Sequence, residues 1–203
     1  MEALYLLALG FVVGLSGALM PGPLLVYTIA QSMRKGALTG FFVILGHAMV
    51  EVALMVVLAF GVNALMTDRL VVSAISLIGG AYMAYSAWNL RNSRWDARPK
   101  RKLEGHGLVA GGILFTAFNP GFPVWWATAG SRLLLEGIRL MGVPGAALVL
   151  VGHWVADFGW YMVVSALAAK GREKLIGRYV DTVKNILALL LLLIGAYFIS
   201  TGL

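Results

Sequence analysis

The chain contains no cysteine, which removes disulfides, thiolate metal sites and a cysteine nucleophile in one step. It is also poor in charge. Only 12% of its 203 residues are Asp, Glu, Lys or Arg, and 60% are apolar, whereas a soluble domain carries roughly 25% charge and about 45–50% apolar residues. No HExxH pattern occurs, so a zinc hydrolase of that kind is not expected. A helix needs roughly 20 apolar residues to cross the hydrocarbon, so six crossings with short connections would use almost the whole chain and leave no room for a soluble catalytic domain.

Six apolar runs are present, at about Leu4 to Ala30, Leu38 to Val62, Leu70 to Leu90, Leu108 to Gly130, Val143 to Ala168 and Val183 to Gly202. The fourth is the weakest, being interrupted by Pro120 and Pro123. The amino terminus has no basic region, and its apolar run outlasts a signal-peptide core of about 7–15 residues. It is expected to stay as a helix. The expected fold is therefore all-α and integral to the membrane, with six transmembrane helices.

The net charge of +7 is a matter of topology rather than of nucleic-acid binding, because of where the charges lie. With six spans, one side carries Arg34, Lys35, Arg91, Arg94, Arg98, Lys100, Arg101, Lys102, Lys170, Arg172, Lys174, Arg178 and Lys184. Only Arg69, Arg132 and Arg139 lie on the other. The positive-inside rule makes the Arg-rich third loop cytoplasmic and puts both termini outside.

The halves of the chain echo each other. Pro21-Gly22-Pro23 answers Pro120-Gly121-Phe122-Pro123, Gly46-His47 followed by Glu51 answers Gly152-His153 followed by Asp157, and Gly80-Ala81-Tyr82 answers Gly195-Ala196-Tyr197. The organisation read from this is a three-helix unit over 1–90, a basic cytoplasmic loop over 91–107 and a second three-helix unit over 108–203. Since three is odd, a tandem copy enters the membrane upside down, which gives inverted repeats with a site at their interface.

Glu51 and Asp157 are the acids, and His47 and His153 the histidines, that fall inside apolar runs; no Lys or Arg does, apart from Lys184 at the very edge of the sixth. Ionisable groups at membrane depth are costly and default to function. Each pair is four residues apart, so it stacks on one helix face. Histidine titrates near neutrality and couples to a neighbouring carboxylate, so the cluster is suited to taking up and releasing a proton. It is equally suited to neutralising a cationic substrate, or to fixing helix packing.

Pro21 and Pro23 inside the first run remove backbone donors and should bend or unwind the helix. Asn119, Pro120, Gly121 and Pro123 form the matching break, with Asn119 supplying a neutral hydrogen-bonding head. Broken helices point their ends at substrates and ions in inverted-repeat transporters. The pairs Gly10/Gly14, Gly36/Gly40 and Gly107/Gly111 have the spacing of close helix contacts. Trp125 and Trp126 are expected either to wall a cavity or, more commonly for this residue, to sit at the membrane interface. His106, in a charged loop, carries no expected role.

On Met20-Pro21-Gly22-Pro23, Gly36 through Gly46, Gly80-Ala81-Tyr82 and Phe118-Asn119-Pro120, the chain resembles the lysine exporter (LysE/RhtB) superfamily along essentially its whole length. The resemblance implies a multi-pass plasma-membrane exporter of amino acids or related small metabolites, driven by a proton or other ion gradient. Two departures stand out: His47, not an acid, follows Gly46, and Gly121, not lysine, follows Asn119-Pro120. A divalent-metal exporter using His47, Glu51, His153 and Asp157 as ligands stays open as the alternative, and a haem-binding electron carrier with paired histidines is a remoter one. Otherwise no enzyme activity, cofactor or nucleic-acid partner is expected; the partners are a small-molecule substrate, a coupling ion, the lipid bilayer and a second copy in a homodimer.

Overall fold

The computed structural model describes residues 1–20, 22–59, 68–92, 105–175 and 179–202. Pro21 and the loop cations Arg94, Arg98, Lys100, Arg101, Lys102 and Arg178 lie outside the described residues. Among those described, every regular element is helical: α1 (Glu2–Ala18), α2 (Pro23–Lys35), α3 (Thr39–Ala59), α4 (Arg69–Asn92), α5 (Gly105–Ala117), α6 (Gly121–Trp125), a π-helical turn (Trp126–Gly130), α7 (Ser131–Leu175) and α8 (Val180–Gly202).

The first apolar run is two helices, not one. Their axes are inclined by 81°. Gly22 is extended at φ −145° and ψ 178°, and Pro23 restarts the chain as the first residue of α2, where a missing N–H costs nothing. At the other end of α2, Gly36 takes φ +103°, and its N–H bonds Ser32 O at 2.9 Å. The second half repeats the pattern: α5 stops at Ala117, the chain turns through Phe118, Asn119 and Pro120, and α6 begins at Gly121.

Helix α7 is 45 residues long; straight, it would extend about 68 Å, over twice the hydrocarbon thickness of about 30 Å. It does not run straight. Gly142, at φ +65° and ψ −150°, breaks the helical path two residues before Pro144, and the backbones of Gly137 and Gly145 abut across the bend. Gly36 and Gly142 are the residues with positive φ among those described; Gly36 precedes α3, and Gly142 precedes the part of α7 beyond the break, the two stretches that carry the His/acid pairs.

Four helical stretches are long and apolar enough to cross a membrane, or five if the bent α1–α2 pair counts as one crossing. α5, at 13 residues, is too short to cross alone. Many large apolar side chains face outward, among them Val52, Val56, Trp88, Leu167, Leu189 and Leu193, as expected where the solvent is lipid.

Glycines set the packing. A methyl group at Gly46 on α3 would strike Val109 O on α5, and one at Gly112 on α5 would strike Val43 O on α3. A methyl at Gly152 on α7 would strike Leu7 O on α1, and one at Gly10 on α1 would strike Val149 O on α7. On α4 and α8, Gly80 and Gly195 face one another. Of the small-residue pairs expected from spacing, Gly10/Gly14 is a contact; in the other two pairs Gly40 lies against Tyr161 O on α7 and Gly111 against the Tyr27 ring, whereas Gly36 is a turn and Gly107 meets nothing within 4 Å. Helices α3 and α7 thus pack closely against α5 and α1 respectively. Near the ends of α2 and α7 they are tied by a buried hydroxyl pair, Ser32 Oγ and Ser165 Oγ at 2.8 Å, where Ser165 Oγ also accepts the Gly40 N–H at 3.0 Å.

Candidate substrate and ion site

Because α3 and α7 meet along the faces that carry them, the two His/acid pairs converge into one cluster. His47 Nε2 lies 3.1 Å from Glu51 Oε1 and 3.5 Å from Asp157 Oδ2. His153 Nε2 lies 2.9 Å from the same Glu51 oxygen and 3.2 Å from the same Asp157 oxygen. Glu51, His153 and Asp157 are buried, while His47 retains 14% side-chain exposure. Each carboxylate therefore touches both histidines, the one a turn away and the one on the opposite helix. A carboxylate bonded only to its own histidine, the packing role, does not describe the site.

Further residues hold the cluster in place. Trp154 Nε1 donates to Glu51 Oε2 at 2.7 Å, and Trp126 Nε1 donates to Glu51 Oε1 at 3.2 Å. His47 Nδ1 pairs with Thr116 Oγ1 on α5 at 3.0 Å. The Trp125 ring stacks on His153 at a centroid distance of 5.2 Å, and Trp126 is fully buried beside it. Both tryptophans therefore wall the site and do not form an interfacial belt. Their place follows from the break at Asn119–Pro120, which turns α6 inward. Trp154 and Thr116 escaped the sequence reading; the signal for Trp154 was its position next to His153.

The cluster opens into a cavity of about 380 Å³, within the range of small-molecule sites, roughly 300–1,000 Å³. Both helix breaks reach it: Met20, Gly22 and Pro23 from the first, Asn119 and Gly121 from the second. The rest of the wall is largely aromatic, with Phe115, Phe122, Trp125, Tyr161 and Phe198. Asn119 lines the cavity, and its Oδ1 accepts the Gly121 N–H at 3.0 Å, capping the restarted helix. Pro123 is buried inside α6, and Pro120 holds the turn before it. No lysine or arginine lines the cavity among the described residues. Glu51 Oε1 sits against both Nε2 atoms, so the gap between the imidazoles holds carboxylate oxygen and is no slot for a macrocycle; the haem reading is set aside.

The family model for the LysE type translocator matches residues 15–202, which takes in every element that builds this site. The chain belongs to the LysE type translocator family. The chain is also 27% identical over 125 residues to an uncharacterized membrane protein of Pseudomonas aeruginosa, PA4757, an alignment covering 57% of this chain and 56% of that protein. The chain thus matches little more than half the length of that relative. No solved structure matches it.

Proposed function

We propose that this translocator is a gradient-driven secondary exporter of amino acids or related small metabolites, with its binding site at the His47, Glu51, His153 and Asp157 cluster. The observation that carries the reading is the meeting of that cluster with both helix breaks in one cavity. Buried acids that face no lysine or arginine among the described residues suit the ammonium group of an amino acid. The start of α2 at Gly22–Pro23 brings the positive end of a helix dipole to the same space, which suits its carboxylate. Asn119 would add a neutral hydrogen bond, and the aromatic wall would accept an apolar side chain. Histidines touching the acids give the cavity groups able to exchange protons with the gradient.

The same proposal includes six crossings built as two inverted units, with α1–α2 as the first crossing and α5–α6 beginning the fourth. The glycine contacts support it. Exchanging the two halves turns the Gly46–Val109 contact into Gly152–Leu7 and the Gly112–Val43 contact into Gly10–Val149. Gly80 and Gly195, equivalent in the repeat, face each other, as partners on a two-fold axis must. The charge asymmetry of the loops supports a plasma-membrane orientation with both termini outside.

The test is flux in proteoliposomes under an imposed pH gradient, with a panel of amino acids and with Glu51→Gln and Asp157→Asn beside the wild type. Gradient-driven amino-acid flux lost in either variant is the expected result. Undiminished flux in both variants would remove the cluster from the transport path.

A further inference from the structure

We propose that His47 Nε2, His153 Nε2, Glu51 Oε1 and Asp157 Oδ2 form a four-coordinate site for a first-row divalent cation of the zinc class. This inference uses the same cluster as the exporter reading but does not need the cargo to be an amino acid. Within that reading it makes a divalent cation, and not the proton alone, an ion handled by the cavity.

Distances are the first ground. A tetrahedral ion with bonds of about 2.0–2.1 Å holds its ligand atoms roughly 3.3–3.4 Å apart. The four nitrogen-to-oxygen separations in the cluster are 2.9, 3.1, 3.2 and 3.5 Å; one ligand atom from each residue lies within 4.8 Å of the others, so a bound ion would draw the widest-spaced pair together to close the tetrahedron.

The second ground is that hydrogen bonding leaves the cluster unsatisfied. Glu51 Oε1 is approached by three nitrogens, those of His47, His153 and Trp126. Asp157 Oδ2 is buried beside two imidazoles at 3.2 and 3.5 Å but receives no well-aligned hydrogen bond from either. A buried carboxylate oxygen that lacks such a bond is costly. An ion at the shared centre would engage it and relieve the crowding on Glu51.

Third, the outer contacts leave the inner atoms free to ligate. Thr116 Oγ1 takes the Nδ1 side of His47, so that with Nδ1 protonated the Nε2 lone pair points to the centre. Trp154 engages the Glu51 oxygen that faces away from it. Such supports are typical of metal-binding imidazoles and carboxylates. His153 Nδ1 has no such support. Two carboxylates with two neutral imidazoles carry two negative charges, which a divalent ion cancels where, among the described residues, no Lys or Arg lines the cavity. Two nitrogens, two oxygens and no thiolate favour zinc or cobalt over copper(I), and the two imidazole nitrogens disfavour calcium and magnesium, which take oxygen ligands. His47, the most exposed of the four, lines the cavity and gives the ion a way in.

The test is binding and not flux, so it fails or succeeds apart from the exporter reading. The full chain, without a histidine tag and stripped with chelator in detergent, is titrated with Co²⁺ while its visible spectrum is recorded. The expected result is an intense tetrahedral Co²⁺ band saturating at one ion per chain, displaced by Zn²⁺, and unchanged in His106→Ala. His47→Gln, at the rim of the cluster, should weaken binding by more than about tenfold, since loss of even an outer supporting contact costs roughly 10–100-fold. Should that variant misfold, Asp157→Asn or Glu51→Gln serves in its place. A wild-type chain that shows no such band at saturating Co²⁺ overturns the proposal. So does a band that survives in the folded cluster variants.

Discussion

His47 and His153, on different helices, aim their Nε2 atoms at a single oxygen, Glu51 Oε1, from 3.1 and 2.9 Å. Asp157 Oδ2 closes the ring from the other side. Groups joined this way act as one unit, and mutational effects within a network couple by roughly 0.5–3 kcal/mol. The double variant Glu51→Gln/Asp157→Asn should therefore lose little more transport than the worse of the two single variants. Initial flux rates in proteoliposomes measure this, and losses that simply multiply would mean that the two acids act independently.

Trp154 bears on the same unit from outside. Its indole N–H is bonded to Glu51 Oε2 at 2.7 Å, and a hydrogen bond to a charged group is worth about 1.5–3 kcal/mol. Trp154→Phe keeps most of the ring volume and deletes the donor. Flux at limiting substrate should fall about tenfold or more while the melting temperature in detergent changes little. A variant as active as the wild type would make Trp154 a packing residue only.

The sequence made much of this site legible, for a physical reason. Acids and histidines at membrane depth stand out against an apolar background, and the recurrence of His-x-x-x-acid in each half marked His47/Glu51 and His153/Asp157 before any geometry was known. The helix breaks were equally plain at Gly22–Pro23 and Asn119–Pro120, because proline leaves few ways to continue a helix. Less legible was what a break does. Whether the chain kinks or turns through 81° depends on what the next helix packs against, which composition does not encode. Tertiary contact likewise decided the tryptophans. Trp126 is both an ordinary interfacial residue by type and the buried donor to Glu51 by position. Of the glycines spaced for packing, Gly36 proved to be a turn, whereas Gly46, Gly80 and Gly152 lie against neighbouring backbone.

Those backbone contacts make a symmetric prediction. At Gly46 and at Gly152 an added methyl meets a carbonyl oxygen of the neighbouring helix, which cannot move without separating the pair. Gly46→Ala and Gly152→Ala should each destabilise the protein by about 1–3 kcal/mol, the usual cost of overpacking. At Gly159 nothing lies within 4 Å of the added methyl, so Gly159→Ala should be neutral or stabilising by up to about 1 kcal/mol through helix propensity. Thermal unfolding in detergent separates the cases. A fully stable Gly152→Ala would mean that α1 and α7 do not approach as closely as their glycines allow.

The lack of cysteine makes the proposed orientation directly testable, since single introduced cysteines have no background. Asp68, Asn92 and Thr201 are all exposed, and they sit before α4, at its end and near the end of α8. On the six-crossing reading, one crossing separates Asp68 from Asn92 and three separate Asn92 from Thr201. Asp68→Cys and Thr201→Cys should therefore react with an impermeant maleimide on intact cells, and Asn92→Cys only after permeabilisation. If Thr201→Cys is protected together with Asn92→Cys, the second half makes an even number of crossings. The inverted repeat then fails, because a second copy with the same orientation as the first could not place His153 and Asp157 opposite His47 and Glu51 by symmetry. If all three positions switch sides together, the repeat stands but the cationic loop lies outside, and the charge argument for the orientation goes with it.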